Sequence, residues 1–202
     1  MLDGVAEGER VVTQGGMLID AQAQLNASAN QQTGEGVSSG RDFTKATNGL
    51  PPLTDAQQKA IQEFLALANA ITAALAGDNL AEFNSQALKT HSAVPAFAGA
   101  FPKDSPWRVL IEKVEVTGHL AAGTDLKGAR KNFHPLSEAA VEFAKALRRQ
   151  EAAFKSLKVF RCPMTKDAFP GAPRTAEWIQ FEAPVRNPYF GAEMLDCGSE
   201  VK

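Results

Sequence analysis

The chain is expected to be mainly α: a helical bundle with a small β-rich C-terminal appendage that bears a cluster of cysteine and methionine. Three observations predict this. Apolar residues recur at helical spacing in several segments between residues 51 and 149. The connections between those segments are short and rich in Gly, Pro and Asp, as in a bundle. Beyond Arg161 the helical period gives way to the strand-like run Glu177-Trp178-Ile179-Gln180-Phe181 and the turn-rich Asn187-Pro188-Tyr189-Phe190-Gly191.

The elements follow in order. Gly8 to Ile19 reads as a strand and a glycine turn, and Asp20 to Leu25 as a short helix-compatible tail. Residues 1–29 are too few to bury a core, so they are expected to be the edge of a domain that is not here. Residues 30–50 turn to Asn, Gln, Ser and Gly, the composition of a flexible linker. The glycines there lack the flanking strand, helix and Gly-Lys-Ser/Thr of a phosphate loop. The helical domain is placed at 51–202. Thr54 with Gln57 forms a capping-box pattern. Ile61, Phe64, Leu65, Ala68, Ile71 and Leu75 then make an apolar stripe, ended by Gly77-Asp78.

A shorter helix is expected next, with Leu80, Phe83, Ala87 and Leu88 on one side. Residues 92–103, rich in Pro, Gly and Ala, read as a loop. Asp104 or Ser105 is placed to cap a third helix with Pro106 in its first turn, carrying Val109, Leu110, Val114 and Thr117 inward before Gly118. A fourth runs from near Thr124 to about Arg149, with Leu126, Ala129, Phe133, Leu136, Ala140, Phe143 and Leu147 in register. Pro135 lies inside it and is expected to kink it.

Composition narrows the function. With 202 residues, 44% hydrophobic and 22% charged, the chain suits one large or two small domains. A net charge of -2 gives no reason to expect nucleic acid or an anionic membrane as partner. Nothing approaches the run of about eighteen apolar residues that a transmembrane helix needs. Met1-Leu2-Asp3-Gly4-Val5 lacks the basic start and apolar core of a signal peptide. The opening reads as though partway through a domain, with any export signal expected upstream. No Ser/His/Asp set, HExxH or CxxC is present, so no enzyme is expected. His91, His119 and His134 have no partner at metal-ligand spacing and read as surface or helix-end residues. Glu138 and Glu142, one turn apart, read as a solvated helix face.

The chemistry concentrates near the C-terminus. Both cysteines, Cys162 and Cys197, lie there, with Met164 and Met194; the only other methionines are Met1 and Met17. Pro163 biases Cys162 toward extended backbone, which aims Cys162 and Met164 to one side. Met194 and Cys197, three apart, share a side on a single turn. Three readings compete. Thiolate and thioether sulfurs suit Cu(I), and Ag(I) by the same chemistry. A Cys162–Cys197 disulfide would close a moderate loop and contribute about 3–4 kcal/mol, with the methionines as core fillers. Two inert buried thiols are the third reading. On residues alone the disulfide stands slightly ahead of the metal site. Zinc is disfavoured, since no His lies in the segment and thioether is a poor zinc ligand. Trp178 and Tyr189 read as core packing, and Asn187 as a turn former.

Two stretches carry a resemblance. Gly8-Glu9-Arg10-Val11-Val12-Thr13-Gln14-Gly15-Gly16-Met17-Leu18-Ile19-Asp20 resembles the end of the membrane-proximal region of periplasmic adaptors of copper/silver-type heavy-metal efflux pumps. These membrane-fusion proteins join a resistance-nodulation-division (RND) inner-membrane pump to an outer-membrane channel. Residues from about 51 to 200 are similar to an uncharacterised domain appended to such adaptors or found alone. That match rests on Ala129-Arg130, Phe133, Leu136-Ser137, Cys162-Pro163-Met164, Trp178-Ile179-Gln180, Asn187-Pro188-Tyr189-Phe190-Gly191 and Met194-Leu195-Asp196-Cys197-Gly198. Pro135 departs from the pattern.

The resemblance implies that residues 1–29 are a remnant of the adaptor's membrane-proximal β region. It implies a Gram-negative periplasmic location, and as partners the pump, the channel or other adaptor subunits. It also raises the metal reading above the disulfide, although an oxidising periplasm favours disulfides. The implied function is capture of Cu(I) or Ag(I) by Cys162, Met164, Met194 and Cys197 and hand-over to the pump. The rival is a docking module, without metal, held by a Cys162–Cys197 bridge.

Overall fold

The computed structural model describes residues 49–202. The strand read near Gly8–Ile19, and the linker read at 30–50 up to residue 48, lie outside the described residues. Four α-helices come first: α1 Asp55–Ala76, α2 Leu80–Gly99, α3 Arg108–Thr117 and α4 Leu126–Gln150. Three strands follow, β1 Lys158–Cys162, β2 Ala176–Gln180 and β3 Ser199–Glu200. They form one antiparallel sheet in the order β2-β1-β3. No helix among the described residues is long and apolar enough to cross a membrane.

The first helix forms as its sequence dictates. Thr54 accepts from the Gln57 amide at 3.3 Å while the Gln57 side chain accepts from the Thr54 amide at 3.0 Å, closing the capping box. All six residues of its expected apolar stripe are buried. Gly77 caps the far end, and Asp78 turns the chain with a left-handed φ of 53°.

Helix α2 corrects the expected loop at 92–103. It continues to Gly99 because Phe83, Ala87, Thr90, Val94 and Phe97 repeat at spacings of three and four and are all buried. Phe97 stacks on Phe64 at 4.7 Å between ring centres and meets Phe101 and Phe143 edge-on. That aromatic packing outweighs the hydrogen bond lost at Pro95, which sits on the exposed side. Leu88 does not share the inward face; it is 69% exposed.

Helix α3 begins at Arg108, later than expected. Ser105 Oγ accepts from the Trp107 amide at 3.3 Å, but the N-cap position itself is Trp107. Its inward residues are Leu110, Ile111 and Val114, with Val109 and Thr117 only half-buried. Trp107 is buried and donates through Nε1 to the Pro51 carbonyl at 3.0 Å.

In α4, capped by Asp125 through Gly128 N at 2.7 Å, the expected register is met by buried Ala129, Phe133, Leu136, Ala140, Phe143 and Leu147, and Leu126 is half-buried. The helix runs unbroken through the exposed Pro135.

The sheet is not an appendage in the packing sense. Val159, Cys162, Trp178, Ile179 and Tyr189 belong to the same buried cluster as the helix residues. Phe160 stacks on Trp178 at 6.0 Å, and Trp178 meets Tyr189 edge-on at 6.2 Å. A helical expectation with a small β segment therefore stands, but with a shared core.

Replacing Phe97 with Ala is expected to cost about 3–5 kcal/mol, as for a buried aromatic, whereas Leu88→Ala changes stability by less than ~0.5 kcal/mol. Urea unfolding followed by tryptophan fluorescence reads both. Equal small effects would restore the loop.

Candidate functional site

The two cysteines arrive from different elements. Cys162 closes β1, and its side chain is fully buried. Cys197 precedes β3 in a loop and is half-buried. Pairing of Arg161 with Ser199 sets these two stretches side by side. It leaves the sulfurs 3.4 Å apart as free thiols. The return that joins them is thus the β1–β3 edge; the β1–β2 hairpin covers the opposite edge of β1.

Gly198 makes the approach possible. A Cβ there would lie 2.9 Å from Trp178 Cη2 and 3.1 Å from the Arg161 carbonyl. Its φ of +148° also suits only glycine well.

Of the two methionines, Met194 lies one turn before Cys197. Its carbonyl accepts from the Cys197 amide at 3.1 Å, closing one turn, and its side chain packs half-buried against the core. Met164 follows Cys162 by two residues but is 53% exposed and does not join the core. Among the described residues no group of three or more His, Cys, Asp or Glu is arranged for a metal. An ion here would therefore rest on the thiol pair and thioethers.

The loop carrying Cys197 is held by a buried polar network. Asn187, fully buried, donates through Nδ2 to the Cys197 carbonyl at 2.9 Å and accepts at Oδ1 from the Tyr189 amide at 2.8 Å. Its own amide donates to the Leu195 carbonyl at 2.7 Å. Arg130 Nε donates to the Pro188 carbonyl at 3.0 Å, and the Arg130 guanidinium pairs with Asp78 at 2.5 Å. The other Asp78 oxygen accepts from the Ala192 amide at 2.8 Å. Gly191, at φ 59°, has no room for a side chain, since a Cβ would overlap the Asp78 carboxylate. Ser137 donates to the Glu177 carbonyl at 2.8 Å.

Asn187 is thus more than a turn former. Tyr189 and Trp178, fully buried, are the packing residues expected of them. Arg130 and Ser137 were assigned no role by sequence, and Asp78 only that of ending a helix. A signal existed for the first two: they share the buried face of α4 with Phe133, and a polar residue in an apolar stripe must find a partner.

Electrostatics around the site follow from burial. Burial, the hydrogen bond to Cys162 and the nearby Cys162 and Asp196 charges push the Cys197 thiol above the usual range. The Cys197 thiol is therefore protonated at neutral pH and a weak nucleophile. Burial likewise pushes the Tyr189 hydroxyl up. His134 Nδ1 lies 3.2 Å from that hydroxyl, and its Nε2 lies 3.6 Å from Glu138. Burial lowers the affinity of His134 for a proton, and Glu138 offsets this only in part. The Glu177 carboxyl is raised by burial but more strongly lowered by Lys145 at 2.5 Å and Arg161 at 2.5 Å, so it stays below the carboxylate range.

The class these features define is a helical domain with a C-terminal antiparallel sheet that holds two close thiols where β3 meets the end of β1. Comparison with protein families, curated proteins and solved structures returned no match for the chain.

Asn187→Ala leaves the Cys197 carbonyl and the Tyr189 amide without partners and is expected to cost about 2–4 kcal/mol. It also speeds labelling of Cys162 by a thiol reagent. Unchanged labelling would separate the network from the thiols.

The pH dependence has a definite sign. His134 holds its proton less tightly when folded, so unfolding takes up a proton as pH falls through the ordinary value of 6.5. Its stability contribution is full above that value and lost below it. Glu177 adds a second loss as pH falls below its ordinary 4.5. The urea midpoint should drop between pH 7.5 and pH 5, and His134→Gln should flatten that drop. An unaltered slope in the variant would assign the titration elsewhere.

Proposed function

We propose that this chain is part of a periplasmic heavy-metal efflux adaptor and that its C-terminal domain captures Cu(I) or Ag(I) for transfer to an RND pump. The observation that carries the reading is the pair of sulfurs 3.4 Å apart, each followed or preceded within three residues by a methionine. The resemblance to copper/silver-type adaptors supplies the cellular setting.

The donor set fits a soft ion. Metal–thiolate bonds of about 2.3 Å place two sulfurs on one tetrahedral ion roughly 3.8 Å apart, a few tenths of an ångström beyond the separation found. Cys162 and Cys197 would hold the ion as thiolates, with Met164 and Met194 as exchangeable neutral donors. The exposed Met164 would be the donor most open to exchange with solvent or a partner. Because the Cys197 thiol is raised by burial, binding must expel protons, and affinity rises with pH.

A second reading rests on the same separation. Closing the sulfurs from 3.4 Å to the ~2.05 Å of a disulfide would make a bridged docking module that contacts pump, channel or adaptor without metal.

Reduced protein, titrated anaerobically with Cu(I) against a chromogenic chelator, separates the two. The expected result is one equivalent bound, with Cys162→Ser or Cys197→Ser weakening it by more than ~100-fold and Met164→Ala or Met194→Ala by ~10-fold. Protein that has no free thiol before reduction and takes up no Cu(I) after it would leave the docking module.

A further inference from the structure

We propose that His91 and His119 form a second metal site, taking a borderline divalent cation such as Cu(II), Ni(II) or Zn(II), independent of the thiol pair. The residues are 28 apart in sequence, in α2 and just past the end of α3, so no spacing motif announces them. The fold sets their rings 5.4 Å apart, centre to centre, at 39°. Both residues are exposed, so an ion and its water have access. A nitrogen bound at about 2.0–2.1 Å puts its ring centre roughly 3 Å from the ion, so two imidazoles on one tetrahedral ion have centres about 5 Å apart. The rings already stand near that separation.

The backbone beneath them is locked. Thr90, which precedes His91, accepts at Oγ1 from the amide of Leu120, which follows His119, at 3.2 Å. Both neighbours are buried, at 1% and 3% exposure. On the other side of His119, Gly118 packs so closely on α2 that a Cβ would lie 2.7 Å from the Val94 side chain. The two segments are thus held together by a hydrogen bond and a close contact that flank the histidines. A pair on such a support loses little freedom on binding.

Imidazole suits Cu, Ni and Zn, with Cu(II) the tightest. Among the described residues no third His, Cys, Asp or Glu joins the pair. Water or an exchangeable ligand therefore fills the remaining positions, as in an open site. This chemistry differs from that of the sulfur pair, which favours soft monovalent ions.

The test uses the full chain carrying Cys162→Ser and Cys197→Ser, titrated with Cu(II) and read by electron paramagnetic resonance. The expected result is one equivalent with the hyperfine pattern of two imidazole nitrogens. His91→Ala and His119→Ala, made singly in that background, should each weaken binding at least ~10-fold, and His134→Gln should not. Binding unchanged in either alanine variant, or a pattern from fewer than two imidazoles, overturns the site. If the double serine chain does not fold, wild-type protein with alkylated thiols serves the same test. Because the thiols are removed or blocked, failure here leaves the Cu(I) reading untouched.

Discussion

The ion pair between buried Arg130 and half-buried Asp78 is the constraint on which the C-terminal half depends. Residues 187–191 are all buried yet belong to no strand or α-helix of the sheet or bundle. Backbone groups in such a segment must find partners other than a ladder. Arg130 meets the Pro188 carbonyl and Asp78 meets the Ala192 amide, while the two side chains neutralise each other. The Coulombic gain of such a pair is largely offset by its desolvation. Its importance lies in geometry, because removal of either partner strands the other and a backbone group with it. From its left-handed turn the Asp78 carboxylate reaches both Arg130 and Ala192, and those contacts offset the strain of that backbone.

From that anchor the arrangement propagates to the sulfurs. Arg130 holds Pro188, Asn187 bonds the Cys197 carbonyl, and Gly198 lets the chain pass beneath Trp178 to pair with β1. Cys162 has no freedom of its own, being the buried end of a paired strand. Any change in the distance between the thiols, whether toward a bridge or around an ion, is accordingly a movement of the Cys197 loop.

Much of this was legible beforehand where one element decided the outcome. The capping box at Thr54 and the stripes of α1 and α4 needed only local spacing. The end of α2 did not: Pro95 and the small residues around it speak for a loop, and only the packing of Phe97, stacked on Phe64 and edge-on to Phe143, reverses that preference. Leu88 was misplaced because the inward arc of a helix depends on where its neighbours lie. Arg130 and Ser137 stood in an apolar stripe as unexplained polar residues, and their partners come from chain segments 40 or more residues away.

Sequence alone determined that four helices exist, that residues 177–181 are strand-like and that both cysteines gather with two methionines in the last stretch, since periodicity, turn chemistry and composition are local properties. Tertiary structure decided which of those groups meet. It set Cys162 beside Cys197 where β3 pairs with β1, left Met164 in solvent, and brought His91 in α2 near His119 just past the end of α3. Such meetings depend on strand register and on how closely helices approach, and both are set by long-range packing that no window along the chain contains.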